Sequence, residues 1–168
     1  QGTFECWYRP AFPNSERGVP PAQRQVTTNR PIFTVKWGAD MGGGSNCGLY
    51  WNEHVQGPVA WSRRNGQVLL NPGAPFDWEA GRWYHLALTW SDKVRVYVDG
   101  KLVAECPNSG FIPQPLAGAV IEIGGLAPLA AIDEVRILSV ARAPEANPGE
   151  YQPDGETLLL DHFENYGK

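Results

Sequence analysis

The chain has 168 residues, a formal net charge of −4, and a hydrophobic fraction of 42% that includes seven tryptophans, enough for one buried core without disulfides or a metal supplying most of the stability. No basic run exceeds the pair Arg63 and Arg64, so the electrostatic footprint that a phosphate backbone requires is missing and nucleic acid is not an expected partner. No apolar stretch approaches the ~20 residues that span a bilayer, so membrane insertion is not expected either.

Nineteen glycines and fifteen prolines punctuate short runs rich in Val, Ile, Leu, Tyr and Trp, the composition of an all-β protein. The first run, residues 3–9, is closed by Pro10 and Pro13. Neither a charged segment nor an apolar leader precedes it, so Gln1 reads as a mature or excised start. A polar loop, residues 14–30, leads to a strand at 32–37, a Gly42-Gly43-Gly44 hinge and a strand at 47–54. Gly57-Pro58 reads as a tight turn into 59–64, and Asn65-Gly66 as a two-residue hairpin before 68–70.

Residues 82–90 place Tyr84, Leu86, Leu88 and Trp90 on one side and Trp83, His85, Ala87 and Thr89 on the other. Trp83 and Trp90 are read as structural. Residues 93–98 alternate Val94, Val96 and Val98 against Arg95 and Tyr97, and Asp99-Gly100 turns the chain into 102–106. A two-residue loop would set Tyr97 opposite Leu102. A three-residue loop with Gly100 left-handed would set Val94 and Val96 against Ala104 and Leu102, and it is the favoured one because the apolar faces then agree. After a connection containing Pro and Gly come strands at 120–123 and 131–139, a linker at 143–156, and a last apolar run at 157–163. Ten or eleven strands without helical periodicity predict a single domain built as a two-sheet antiparallel β-sandwich, because one flat sheet of that size would curl or split.

Cys6, Cys47 and Cys106 lack the close pairs of zinc or redox sites, and an odd count leaves at least one thiol unpaired within the chain. Two readings stay open: three small buried apolar residues, or one bridge plus a leftover. The preferred bridge joins Cys47 to Cys106, both at strand edges beside turn residues. Cys6, which alternates with Phe4 and Tyr8, is then free or joined to another chain.

Four segments, Gly2-Thr3-Phe4-Glu5-Cys6-Trp7-Tyr8-Arg9-Pro10, Trp83-Tyr84-His85-Leu86-Ala87-Leu88-Thr89-Trp90, the hairpin 94–103, and Ile132-Asp133-Glu134-Val135-Arg136-Ile137, resemble in order the signature of laminin G-like jelly rolls of the concanavalin A-like superfamily. The resemblance implies a jelly roll over residues 1–168. It also implies an extracellular or cell-surface role among lectins, adhesins, tail-fibre modules and accessory domains of secreted enzymes. The expected partner is a glycan or other cell-surface polymer. The chain departs from the family in one respect, since the strand that usually precedes Gly-Thr-Phe is absent. The terminal run 156–164 resembles that strand displaced to the other end. Through Leu158, Leu159, Leu160 and Phe163 it either closes its own sheet or pairs with a neighbouring copy, so that the alternative to a recognition module is a subunit of an extracellular assembly.

Glucanases of the superfamily set acid and nucleophile on one strand two residues apart, and no Glu-x-Asp-x-Glu occurs here. His54, His85 and His162 are scattered, so catalysis is not expected. Asp133 shares an alternation face with Val135 and Ile137, the side expected to meet the core, where a carboxylate must be paired or coordinated. Calcium or backbone amides would serve, with capping of a neighbouring turn favoured; no other cofactor is called for. For a glycan, exposed aromatics that stack on sugar rings are needed beside amide, carboxylate or guanidinium groups. The best local candidate is Tyr50, Trp51, Asn52 and His54, with Trp61 and Arg63 on the next strand.

Overall fold

The structure, a computed structural model, describes residues 1–12, 30–37, 45–111, 118–125 and 130–163. The Gly42-Gly43-Gly44 hinge, most of the polar loop before Arg30, part of the connection before Val120, and Glu164 lie outside the described residues. Eleven strands are present among those described: β1 (Gly2–Pro10), β2 (Arg30–Lys36), β3 (Asn46–Asn52), β4 (Gly57–Arg64), β5 (Gln67–Leu70), β6 (Tyr84–Trp90), β7 (Lys93–Val98), β8 (Lys101–Pro107), β9 (Val120–Ile123), β10 (Ala130–Leu138) and β11 (Thr157–Asp161). They form a six-stranded sheet ordered β11-β10-β1-β6-β7-β8 and a five-stranded sheet ordered β5-β4-β3-β2-β9. All pairings are antiparallel, and the result is the expected jelly-roll sandwich. Period-two alternation builds the core between the sheets. Phe4, Cys6 and Tyr8 of β1, Leu86 and Leu88 of β6 and Val94, Val96 and Val98 of β7 meet Phe33, Val35, Cys47, Leu49 and Trp51 of the other sheet.

Four local expectations are corrected. Gly57 and Pro58 belong to β4, and the turn is residues 53–56, closed by the Gln56 N–H donating to Asn52 O at 2.8 Å. The β7–β8 hairpin has a two-residue turn, with Asp99 and Gly100 both at positive φ, Val98 opposite Lys101 and Tyr97 opposite Leu102. The apolar faces agree because Val103 bulges out between those pairs and the pair Val96 and Ala104. In β10 another bulge intervenes: Glu5 faces Arg136 but Trp7 faces Asp133, three steps against two, and Glu134 takes φ 50°. The extra residue reverses the alternation, so Ile132 packs on the core and Asp133 is turned to the outer face opposite Trp7. Lastly, the terminal run, expected to lie beside the Gly2 to Arg9 segment or its counterpart in another copy, forms β11 in the same sheet but pairs with β10, and the two neighbours of β1 are β10 and β6.

The cysteines are a further correction, because all three are free. Cys47 lies in the core on β3 and Cys106 on edge strand β8 of the opposite sheet, so no bridge joins them. Cys6 is fully buried, which denies it to a second chain. Burial pushes the Cys6 and Cys47 thiols well above their ordinary range, so they behave as small apolar residues.

The connection between β10 and β11 crosses the outer face of the six-stranded sheet. Thr3 Oγ1 donates to Val140 O at 2.7 Å and accepts from the Arg142 N–H at 2.8 Å, and a side chain on Gly100 would meet Ala146. Tyr151 then folds back: its hydroxyl bonds the His85 ring, its N–H donates to Glu134 Oε2 at 2.9 Å, and Arg136 stacks 4.0 Å from its ring centroid. Under this strap Arg136 donates twice to Glu5 Oε2, at 2.9 and 2.6 Å. His162 completes the set with a 2.6 Å contact to Glu134 Oε1. Every residue of β6 is consequently buried, His85 and Thr89 included.

Candidate functional site

Among the described residues, no comparable strap crosses the outer face of the five-stranded sheet over β3 and β4. Alternation sends Cys47, Leu49 and Trp51 inward and leaves Asn46, Tyr50 and Asn52 outward, with Gly48 between them. The register of β4 sets Arg63, Trp61, Val59 and Gly57 opposite Asn46, Gly48, Tyr50 and Asn52 respectively. A cleft of about 210 Å³ results, lined by Asn46, Tyr50, Asn52, Val59 and Trp61.

Each lining group has a definable chemistry. The Tyr50 hydroxyl accepts from Thr34 Oγ1 at 3.3 Å, and burial pushes its phenol up, so it meets a ligand as a neutral group able to donate and accept. Asn52 Oδ1 accepts from the N–H groups of His54 and Val55 at 3.0 and 2.9 Å, which commits its oxygen to the turn. The same amide keeps its NH2 as a donor. Asn46 Oδ1 is buried without a hydrogen-bond partner in the protein. Trp61 is half-buried and provides a flat indole beside Gly48. Gly48 is obligatory, because a Cβ there would stand 2.0 Å from Phe33 O. Just outside, Lys36 is matched by Glu122 at 2.8 Å, and Arg63 donates from Nε to Gly66 O at 3.1 Å.

The structure thus brings three of the six sequence candidates, Tyr50, Asn52 and Trp61, into one cleft, with Arg63 on the same face beyond its end. Trp51 points the other way, 1% exposed, edge-on to Phe12 and stacked on Trp78 in the core. His54 stands on the turn, its side chain 77% exposed and 3.4 Å from Glu53, and does not line the cleft. Asn46 and Val59 are additions. Asn46 shares the parity of Tyr50 along β3, a signal present in the sequence, whereas Val59 depends on where the 53–56 turn reverses the chain.

Asp133 does not gather metal ligands. Its Oδ1 accepts from the Glu134 N–H at 2.9 Å, capping the bulge, and among the described residues no three His, Cys, Asp or Glu side chains converge on a common point. Among the described residues, Asp133 therefore has no ligand set that fits a calcium ion.

The family described as the concanavalin A-like lectin/glucanases superfamily matches residues 1–146. The chain belongs to it. No curated protein matches the sequence. Among solved structures, a Bacteroides ovatus protein classed by inference as carbohydrate binding is 19% identical and superposes with TM-score 0.63, covering 98% of this chain and 46% of its own. Domain 4 of AbnA, a GH43 extracellular arabinanase from Geobacillus stearothermophilus solved with arabinotriose, is 21% identical with TM-score 0.55, covering 84% of this chain and 61% of its own. The IT-sialidase CBM40 of Ruminococcus gnavus is 16% identical with TM-score 0.52, covering 74% and 64%. It has also been solved with α2,3-sialyllactose. At these identities the likeness establishes the fold of this superfamily member. The chain spans less than half the length of the Bacteroides ovatus protein and under two thirds of the other two.

Proposed function

We propose that this superfamily member is a non-catalytic carbohydrate-recognition module acting outside the cell or at its surface, with the cleft on β3 and β4 as its site. The carrying observation is the outward set of Tyr50, Trp61, Asn46 and Asn52, which combines aromatic rings for stacking with amides for hydroxyls. Support also comes from structural relatives solved with arabinotriose and sialyllactose. Against chemistry at this site, its described lining residues include no carboxylate pair to act as acid and nucleophile.

A glycan array followed by calorimetric titration tests this, with wild type and Trp61→Ala compared in buffer with EDTA and with calcium. Saturable binding that falls at least about tenfold in Trp61→Ala supports the reading, since losing a stacked aromatic costs roughly 1.4 kcal/mol or more. Binding to no glycan, or binding indifferent to Trp61, sinks it.

One observation favours a second reading, membership of an extracellular assembly. The large exposed hydrophobics among the described residues, Val68, Leu102, Val120, Ile121, Leu158 and Leu159, all lie on the four edge strands. Leu158 is 69% exposed on β11, which has neither Lys nor Pro to blunt pairing. Light scattering over a concentration series separates the readings: growth in mass that Leu158→Lys abolishes supports assembly, and a monomer throughout removes it.

A further inference from the structure

Thr34 stands on β2 between Phe33 and Val35, which point into the core, so alternation aims it at the same outer face as Tyr50. It is nevertheless only 2% exposed, so a neighbour lies over it. The register identifies that neighbour. Thr34 faces Gly48, and Tyr50 is the next outward residue along β3, which makes Thr34 and Tyr50 diagonal neighbours about 7–8 Å apart. A phenol standing upright on the sheet would hold its oxygen far above a threonine hydroxyl, whereas Thr34 Oγ1 lies 3.3 Å from the Tyr50 hydroxyl. The ring therefore leans along the sheet from β3 toward β2, and Gly48 puts no side chain in its path. We infer that Thr34 is a positioning residue for the cleft: its hydroxyl holds the Tyr50 ring down and turns the phenol's own proton toward a bound sugar. This rests on the carbohydrate-binding reading above.

A hydroxyl has one proton to donate. Thr34 donates its proton to the Tyr50 oxygen, so the phenol proton cannot occupy the same bond and is left for the cleft that Tyr50 lines. Tyr50 thus becomes a donor whose direction is set before a sugar arrives, and the atom it meets is a sugar oxygen with a lone pair, whether hydroxyl, ring or glycosidic. The carboxylate closest in register to Thr34 is Glu122 of β9, which is bonded to Lys36 Nζ at 2.8 Å. Burial pushes the Tyr50 phenol up while the Thr34 bond works in the other direction, so the group keeps its proton and the bond acts on its oxygen. Holding the ring also matters for affinity, because a side chain that must be immobilised on binding carries an ordering cost that one fixed in advance does not. Thr34 exerts both effects through Tyr50, without lining the cleft itself.

The test compares full chains of wild type, Thr34→Val, Thr34→Ser, Tyr50→Phe and the double variant Thr34→Val/Tyr50→Phe. Valine keeps the shape and strand preference of threonine while removing the hydroxyl, and serine keeps the hydroxyl. Without any sugar, nitration of Tyr50 by tetranitromethane, mapped by peptide mass, should run at least about threefold faster in Thr34→Val than in wild type or Thr34→Ser, as the released ring swings into solvent. Calorimetric titrations use arabinotriose, α2,3-sialyllactose and the sugars retained on the glycan array. Affinity should be about three- to tenfold weaker in Thr34→Val, restored in Thr34→Ser, and no weaker in the double variant than in Tyr50→Phe. Nitration or affinity in Thr34→Val equal to wild type, or a loss that persists undiminished when Tyr50 is already phenylalanine, overturns this inference and leaves the carbohydrate reading standing. Binding of no sugar by the wild type overturns both.

Discussion

His85 is fully buried on the covered face, its Nε2 bonded to the Tyr151 hydroxyl and its Nδ1 without a partner. Burial, reinforced by the nearby Arg136 guanidinium, pushes its pKa down to about 4. A base whose folded pKa lies below its unfolded value of 6.5 destabilises the fold as it takes up a proton. Its contribution is whole above pH 6.5 and is lost as pH falls toward about 4. Glu5 works in the opposite sense, since burial raises its carboxyl against the pull of Arg136, so the variant comparison isolates the histidine. Urea titrations at pH 7 and pH 4.5 should show the wild type losing up to about 3 kcal/mol more than His85→Gln. Equal losses would remove the histidine from the account. The neighbouring ion pair gives a second expectation. Arg136→Met leaves the Glu5 carboxylate buried and unpaired and should cost about 3–5 kcal/mol. The double variant Glu5→Leu/Arg136→Met should recover most of it, which a thermal denaturation series would show.

At the scale of elements, the strap between β10 and β11 turns an exposed sheet face into an interior. Tyr151→Phe removes the partner of His85 Nε2 while keeping the ring under Arg136, and should cost about 1–3 kcal/mol with faster amide exchange along β6. Gly48→Ala drives a methyl into Phe33 O and should cost about 1–3 kcal/mol without touching any ligand directly. These elements also mark what was readable in advance. The alternation in 82–90, the valines of β7 and the Asn65-Gly66 hairpin carried strand identity on their face, because a half-buried strand repeats every two residues. Period two also told Trp51 apart from Tyr50 and Asn52, and grouping them as one aromatic patch overlooked it. The bulges at Glu134 and Val103 were beyond reach: one added residue reverses parity, and its placement is decided by pairing with distant strands. Nothing local in Thr3, His85 or Thr89 announces burial, since the cover comes from residues far along the chain.

For the whole molecule, the superfamily match stops at residue 146, but the structure does not. Tyr151 and β11 complete the cover over Glu5, Arg136 and His85 and satisfy the outer edge of β10. A chain ending at Ala146 should therefore melt more than about 10 °C lower than the full chain, read by circular dichroism, since several kcal/mol of packing and pairing go with the tail. An unchanged midpoint would show the tail to be an ornament.

The position of β1 has a consequence for synthesis on the ribosome. Of the eleven described strands β1 is made before the others, yet it is an interior member of the larger sheet, and its contacts with β10 and the residues that follow β10 join positions up to 139 apart. Until those late residues are made, Phe4, Cys6 and Tyr8 have one flank unsatisfied, and loop closure over such spans is slow. That flank of β1 thus stays exposed until β10 has been made, and refolding from urea should take milliseconds to seconds, slower than a helical bundle of equal size.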